Sequence, residues 1–256
     1  MKKKIILLIL LIAICVITLV YLKNKSNTKY NYEIEKVAQY NYFVYKNNDK
    51  FGVIDNTGNI LVDAKYTNVI IPNPSKDVFI CYNDEKVEVL NSSNLYLFKE
   101  YDLIEPVKLK SISNYIEYEK SVLVYKKNNK YGLIGYNGKI ITKNKYDSIE
   151  NLEPNKGKFL VCSSDKYGVI DLKGNILVKT EFDNIVSDGY NAKKDDYKKS
   201  GFIVSKKTKD GIKYGYISFQ GKELLEAKYN EITRLNKEDD KNIYLISSEN
   251  GKYRFL

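Results

Sequence analysis

The sequence predicts an all-β repeat protein: a β-propeller-like ring of about six small antiparallel units or, as the alternative, an open β-solenoid-like array of hairpins. A twenty-residue pattern begins at Lys50, Lys130, Lys166 and Lys213, each copy has glycines at fixed positions, and short β-branched segments flank those glycines. Internal repetition of this kind is typical of solenoids and propellers. An apolar segment near the amino terminus predicts one transmembrane helix ahead of the β domain.

The first element in the chain is this apolar segment. Residues 5–22 form a run of eighteen residues without charge, with three lysines before it and two lysines shortly after it. Such a run nearly matches the hydrocarbon core of a bilayer, and no small-residue cleavage site follows it. We therefore predict residues 1–25 to be an uncleaved membrane anchor, with a cleaved signal peptide as the alternative, and residues 26–31 to be a short tether.

The repeat domain follows over residues 32–256. Each copy has an aromatic–glycine pair after its first lysine and a second glycine six positions after the first. The aromatic–glycine pairs are Phe51-Gly52, Tyr131-Gly132, Tyr167-Gly168 and Tyr214-Gly215, and the second glycines are Gly58, Gly138, Gly174 and Gly221. A short strand is predicted before each copy and another at its end, so a unit contains about four strands.

The second glycine of each copy predicts a tight hairpin turn. It follows a polar or turn-compatible residue and precedes an apolar run, as in Asn137-Gly138, and glycine adopts the positive φ that such turns need. Segments such as 168–170 and 176–178 then pair as antiparallel strands. Because their apolar residues are consecutive, we expect neighbouring units to cover both faces of each hairpin.

The first glycine of each copy lies inside a strand, beside an aromatic residue. Glycine weakens a strand, so its presence usually marks a bulge or a close approach of two backbones. We expect an aromatic ring of the neighbouring repeat to lie over it. A ligand that approaches the bare backbone is the alternative, but recurrence at one repeat position in four copies favours packing.

A polar residue follows the aromatic residue that closes each copy. Asp147 and Asp183 occupy this position in two copies, Asn230 in a third, and Thr67 in another. We predict that the carboxylate caps a turn through its own backbone. A row of catalytic acids is disfavoured because the position is neutral in two of the four copies.

Two further copies are partial. Residues 86–104 align with one deletion and place Glu88 and Asn94 at the glycine positions, and asparagine tolerates the left-handed conformation that a turn needs. Residues 252–256 open a sixth copy and end before its turn. Tyr32–Val37, predicted to be a strand, would complete this last unit, and a closed ring would thereby remove its sheet edges.

The repeat pattern resembles the WG repeat family of bacteria, whose units carry an aromatic–glycine pair and a second glycine at a hairpin turn. The resemblance covers most of residues 50–256. The chain departs from the family pattern because it contains no Trp, and Phe or Tyr holds the Trp position. The resemblance implies a repeat scaffold and no particular activity.

Composition excludes several classes of function. The chain contains no His, which removes His-based triads and imidazole metal sites, and it has no phosphate loop or dinucleotide fingerprint. We predict no catalytic residue, no metal and no cofactor. The net charge is +10, and the five lysines of residues 1–25 leave 10 − 5 = +5 for the rest. With only two arginines, specific binding of nucleic acid is not expected.

The sequence thus predicts a single-pass protein of the cell membrane with its repeat domain outside the cytoplasm. It predicts a non-catalytic scaffold that binds a protein or a cell-wall glycan. The longest insertion, residues 187–200, is predicted to be a long loop, and its Tyr190 and Tyr197 are candidate exposed contacts. The alternative is a glycan-acting enzyme with paired carboxylates in a propeller-like channel. Such an enzyme requires acidic residues that occur in only one or two units and converge in space.

Overall fold

The computed structural model describes residues 40–84, 86–112, 115–152, 157–187, 201–234, 244–248 and 251–255. Within these ranges no helix has the length and apolar character needed to cross a membrane. The predicted anchor and tether, the predicted strand Tyr32–Val37, and Tyr190 and Tyr197 all lie outside them.

The described residues form six small antiparallel sheets in chain order. The first sheet contains β1 (Tyr42–Asn47), β2 (Lys50–Asp55) and β3 (Ile60–Tyr66), and the second contains β4 (Asn68–Ile70), β5 (Phe79–Tyr82) and β6 (Val87–Leu90). The third contains β7 (Leu103–Ile112), β8 (Tyr115–Lys127) and β9 (Lys130–Gly135), and the fourth contains β10 (Ser148–Asn151), β11 (Lys158–Ser163), β12 (Lys166–Asp171) and β13 (Ile176–Phe182). The fifth contains β14 (Asn184–Ser187), β15 (Gly201–Thr208), β16 (Gly211–Ser218) and β17 (Glu223–Tyr229), and the sixth contains β18 (Glu231–Arg234), β19 (Tyr244–Ser247) and β20 (Tyr253–Phe255). The prediction of an all-β repeat protein is confirmed.

The sequence repeats and the sheets are out of phase. The repeat that begins at Lys166 ends with β14, but β14 pairs with β15 of the next sheet, with Ile185 opposite Val204. The strands β4, β10 and β18 likewise close one repeat and open the next sheet. Each of these repeats therefore supplies strands to two sheets.

The hairpin turns form as predicted. Gly174 has a φ of 80°, and its N–H donates to the carbonyl oxygen of Asp171 at 2.9 Å. The Asp171 carboxylate accepts hydrogen bonds from the backbone N–H groups of Lys173 and Asn175, which fixes the turn locally. Asn94 of the partial copy has a φ of 57°, so asparagine replaces glycine there.

The first glycine marks both a bulge and a close approach of backbones. The pairing of β12 with β13 shifts register between Tyr167 and Val169, and a Cβ added to Gly168 would lie 2.7 Å from the carbonyl oxygen of Val178. At Gly52 the nearest ring is Tyr45, which pairs with it from the adjacent strand. The prediction of a ring from the neighbouring repeat was therefore wrong: at Gly52 the ring comes from the paired strand, and at Gly168 the close atoms belong to Val178 and Thr180 of β13.

Apolar clusters lie between consecutive sheets. The described residues form five such clusters, one for each successive pair of sheets. Between the fourth and fifth sheets, Val169 and Val178 pack with Phe202 and Ile217. Both Val169 and Ile170 of β12 are fully buried, as expected for a hairpin that is covered on both faces. The strand after the second glycine departs from this expectation at its first residue. In β13 this residue is Ile176, which is 56% exposed.

The first sheet differs from the others on one face. In β1 and β2, Phe43 pairs with Ile54, and both side chains are only partly buried. The equivalent pair in the fourth sheet, Phe159 and Ile170, is fully buried against the third sheet. The first sheet thus presents an apolar face. In the fourth sheet, the equivalent face is buried against the preceding sheet.

Candidate functional site

In three repeats the shared lysine contacts a polar residue seventeen positions later, at the junction with the next sheet. Lys166 Nζ donates to Asp183 Oδ1 at 2.7 Å, and Asp183 Oδ2 accepts a hydrogen bond of 2.7 Å from the backbone N–H of Lys207 in the next sheet. We call this arrangement the inter-sheet clasp. Lys130 and Asp147 form the clasp between the third and fourth sheets, and Lys213 and Asn230 hold the equivalent positions one unit later.

The clasp corrects the predicted role of the aspartates. Asp183 does accept a backbone hydrogen bond, but it comes from Lys207 near the end of β15 in the next sheet, because the strand after Asp183 pairs with that sheet. The hydrogen bonds from Lys166 and from the N–H of Lys207 lower the pKa of Asp183, and Lys130 and the N–H of Ser164 do the same for Asp147. The two carboxylates are therefore held in their charged form.

A cleft of about 410 Å³ lies at the seam between the third and fourth sheets, where β7 contacts β10. We call it the seam cleft. Its polar lining comes from Glu105, Lys108, Tyr131, Asp147, Ser148, Glu150 and Asn151, and Val107 and Ile149 add apolar surface. Among the described residues, no group of three or more His, Cys, Asp or Glu side chains is placed to hold a metal ion.

Two glutamates of the seam cleft occupy the same repeat position in successive copies. Glu105 and Glu150 each directly follow the isoleucine that lies three residues after the closing aromatic ring. The other copies have Ile70, Val186 and Thr233 at this position. Acidic residues that occur in only two units therefore line one cleft, and their chemistry is not shared by the whole array.

Lysines balance the carboxylates around the seam cleft. Burial raises the pKa of Glu105, and the charge of Lys126 partly offsets this. Lys130 pairs with Asp147, and Lys108 belongs to the lining. Three carboxylates thus lie among three lysines. Lys126 Nζ also lies 5.5 Å from the centre of the Tyr131 ring.

Asn151 lines the seam cleft and links its two walls. Its Nδ2 donates to the carbonyl oxygen of Leu109 at 3.3 Å, across the seam. Its Oδ1 is buried and has no hydrogen-bond partner among the described residues. A buried oxygen without a donor costs free energy, and its burial keeps it out of reach of a ligand in the cleft.

The repeat positions singled out in the sequence mostly serve packing. The clusters between sheets partly bury the aromatic residues of the four pairs, Phe51, Tyr131, Tyr167 and Tyr214. The four glycines beside them lie in β2, β9, β12 and β16. Only Tyr131 of these also lines the seam cleft. Glu105, Glu150 and Asn151 were missed, although an acid at a position that is otherwise apolar or Thr was a visible signal.

Two of the second glycines, Gly174 and Gly221, pack closely against the preceding sheet. A Cβ added to Gly221 would lie 2.7 Å from the carbonyl oxygen of Leu177, and one added to Gly174 would lie 2.7 Å from a methyl carbon of Thr142. At Gly138 the nearest atom belongs to Phe98, at 3.7 Å, whereas at Gly58 nothing lies within 4 Å. Close contact with the preceding sheet is therefore a second reason for glycine at Gly174 and Gly221, in addition to positive φ.

Comparison with known proteins gives a family but no close relative. No curated protein matches the chain. The chain is similar to a crystal structure of the eukaryotic initiation factor, with a TM-score of 0.36 and 10% identity over 84% of this chain and 59% of that one. It is also similar to BBS1N in complex with ARL6DN, with a TM-score of 0.22 and 10% identity over 84% of this chain and 86% of that one.

The family match follows the repeats described above. Residues 51–78, 131–167, 167–190 and 214–253 match the family described as WG containing repeat. These segments contain all four aromatic–glycine pairs and together account for half of the chain. The chain therefore belongs to the WG containing repeat family.

Proposed function

We propose that this chain is a non-catalytic repeat scaffold that binds a protein or a cell-wall glycan outside the cell. One observation carries the proposal: polar side chains at recurring repeat positions form the inter-sheet clasps, whereas the seam cleft adds the side chains of Glu105 and Glu150, at a position where the other repeats have no acid. A constant framework with a variable lining is typical of proteins that bind through positions not needed for folding.

The proposal includes a membrane tether. Residues 5–22 act as an uncleaved, single-pass anchor, and the repeat domain lies outside the cytoplasm, because the uncharged run nearly matches the hydrocarbon core of a bilayer. Fractionation of cells, followed by protease treatment of intact cells, tests this placement. We expect the full chain in the membrane fraction and loss of the repeat domain on protease treatment. A soluble protein that starts near Ser26 would contradict it.

The proposal also includes closure of the six sheets into a propeller-like ring. The partly exposed face of Phe43 and Ile54 supports closure, because the equivalent residues of the next four sheets are buried by a preceding sheet. In a ring the sixth sheet supplies this cover. The sheets then have no free end face, which suits a scaffold that must persist outside the cell.

Sedimentation with purified peptidoglycan tests the binding function. We expect the full chain, in detergent micelles, to sediment with peptidoglycan at both about 0.1 M and about 0.5 M salt, where Debye screening is much stronger. Binding that disappears at the higher concentration would indicate nonspecific attraction by lysines. Absence of sedimentation at both concentrations, together with no capture of a defined envelope protein, would contradict the scaffold function.

A second candidate function has one specific observation in its favour. Glu105 and Glu150 line the same cleft, and burial raises the pKa of Glu105, as expected for an acid that protonates a glycosidic oxygen. Release of reducing sugar from peptidoglycan distinguishes an enzyme from a scaffold. Turnover by the wild-type chain that is lost in Glu105→Gln would establish the enzyme, whereas binding without turnover would favour the scaffold.

A further inference from the structure

We infer that the seam cleft binds an uncharged saccharide, one or two sugar rings of a glycan chain. This inference rests on the proposed scaffold function and names the ligand class of one site within it. Its basis is the volume, hydrogen-bonding capacity, charge and apolar surface of a cleft whose walls come from two sheets.

The volume of the cleft suits a small ligand. Its volume of about 410 Å³ lies in the range of about 300–1,000 Å³ that is typical of sites for small molecules. The third sheet contributes Glu105 and Lys108, and the fourth sheet contributes Glu150 and Asn151. A ligand there contacts both sheets at once.

The hydrogen-bonding groups of the cleft include both acceptors and donors. An ionised carboxylate such as that of Glu150 can only accept hydrogen bonds, the Lys108 ammonium can only donate them, and the Ser148 hydroxyl can do both. A ligand that satisfies this lining must both donate and accept, which sugar hydroxyl groups do.

The charge around the cleft favours a neutral donor over a cation. Asp147 is paired with Lys130, and Lys126 acts on Glu105. Lys108 adds a positive charge to the lining. A polyamine would be repelled by Lys108 and by the lysines that act on Glu105 and Asp147, whereas a hydroxyl group donates its hydrogen bonds without bringing a charge into the cleft.

The cleft also offers apolar surface of the kind that the C–H faces of sugars contact. Tyr131 is partly buried and presents an aromatic ring, and Val107 and Ile149 lie beside the polar groups. Sites for small molecules typically combine aromatic or aliphatic walls with a few placed polar groups. A ligand with polar edges and apolar ring faces fits this combination.

Titration calorimetry with soluble trisaccharides tests the inference on the full chain in detergent micelles. The neutral probes are cellotriose, maltotriose and the trimer of N-acetylglucosamine. The trimer of glucosamine is the cationic counterpart of the last. We expect saturable binding of at least one neutral trimer. Glu150→Val, which introduces the residue of the equivalent position in the fifth sheet, should weaken it about tenfold or more, because a hydrogen bond to a charged group is lost.

Two further variants test whether the binding site is the seam cleft. Glu105→Gln keeps the side-chain shape and should also weaken binding, whereas Glu226→Gln, at an exposed glutamate in β17 outside the cleft, should leave it unchanged. Thermal unfolding of each variant confirms that it is folded. The inference is overturned if no neutral trimer binds at millimolar concentration, if both cleft variants bind like the wild type, or if the glucosamine trimer binds far more tightly. Wild-type sedimentation with peptidoglycan in the first two cases would leave the scaffold function standing without this site.

Discussion

Gly168 and Gly58 meet two different requirements of the backbone. A Cβ added at Gly168 would lie 2.7 Å from Val178 O and 2.9 Å from Thr180 N, and backbone atoms yield less easily than a flexible side chain. At Gly58 the space is open, but φ is 89°. We expect Gly168→Ala to lower the free energy of unfolding by about 1–3 kcal/mol, as an overpacked site does.

Gly58→Ala is the matched control for backbone strain without overlap. We expect it to cost about 1–2 kcal/mol, the usual penalty for a left-handed residue with a side chain. Urea unfolding measures both substitutions through the midpoint at an unchanged slope. An unfolding midpoint for Gly168→Ala equal to that of the wild type would show that β12 and β13 separate easily.

Asp183 makes stability depend on pH. Because Lys166 and the N–H of Lys207 lower its pKa in the folded state, its contribution is present above the unfolded pKa of about 3.9 and is lost as pH falls through the folded pKa. We expect Asp183→Asn to unfold more easily than the wild type at pH 7. The difference should shrink as pH falls below about 4, where the carboxylate of the unfolded chain becomes protonated, and should vanish below the lowered pKa of the folded state.

Unfolding midpoints at pH 7 and below pH 4 measure this effect. Asn230 holds the equivalent position of the next unit and contacts Lys213 at 2.8 Å, so the substitution suits the geometry. Asp63→Asn, at an exposed site in β3 outside the clasps, is the control for loss of a surface carboxylate. A constant difference between Asp183→Asn and the wild type at all pH values would argue against a charged clasp.

The second sheet has a glutamate where the full repeats have their first glycine. Glu88 Oε2 accepts a hydrogen bond of 2.7 Å from the Tyr66 hydroxyl, and Lys86 pairs with its Oε1. The strand after the turn is reduced to the bridge between Leu90 and Tyr96, as it is to bridges in the repeat that keeps Gly132. Glu88 therefore has a structural partner of its own in this sheet.

Restoring the repeat pattern at this position should destabilise the protein. We expect Glu88→Gly to cost about 1–3 kcal/mol, because the buried Tyr66 hydroxyl loses its acceptor. Glu88→Gln keeps an acceptor and should cost less. Thermal unfolding of the two variants gives the order. If Glu88→Gly were as stable as the wild type, the carboxylate would not be a structural acceptor for Tyr66.

The elements that were predictable from sequence are those determined by local chemistry. The turn at Gly174 needs only positive φ and an Asp171 carboxylate that accepts from the next few N–H groups. The clasp of Asp183 was not predictable, because its partner Lys207 lies in another sheet, beyond the long loop. The seam cleft was hidden for the same reason, since it depends on which side chains of β7 and β10 meet.

At the scale of the whole molecule, closure of the ring can be tested from one end. The described part of the chain contains five apolar clusters for six sheets, and the free face bears Phe43 and Ile54 of the first sheet. Deleting residues 251–256 removes β20 from the sixth sheet. In a ring, this should lower hydrogen-exchange protection in β1 and β2, about 200 residues away in sequence.

An open array makes the opposite prediction. Loss of protection would then be confined to the sixth sheet and its neighbour, because stacked repeats contact only adjacent units. The β10–β11 hairpin of the fourth sheet is the internal reference, since it is distant from the deletion in either arrangement. Protection in β1 equal to that of the full chain would rule out closure.

The phase difference between repeats and sheets bears on how such an array changes length during evolution. A duplicated segment that starts at one shared lysine and ends before the next contains strands of two sheets. The segment from Lys166, for example, contains β12 and β13 of the fourth sheet and β14 and β15 of the fifth. An inserted copy can therefore pair on both sides as soon as it is made. A copy cut at sheet boundaries would only abut its neighbours, so gain and loss of units is least harmful at the lysines.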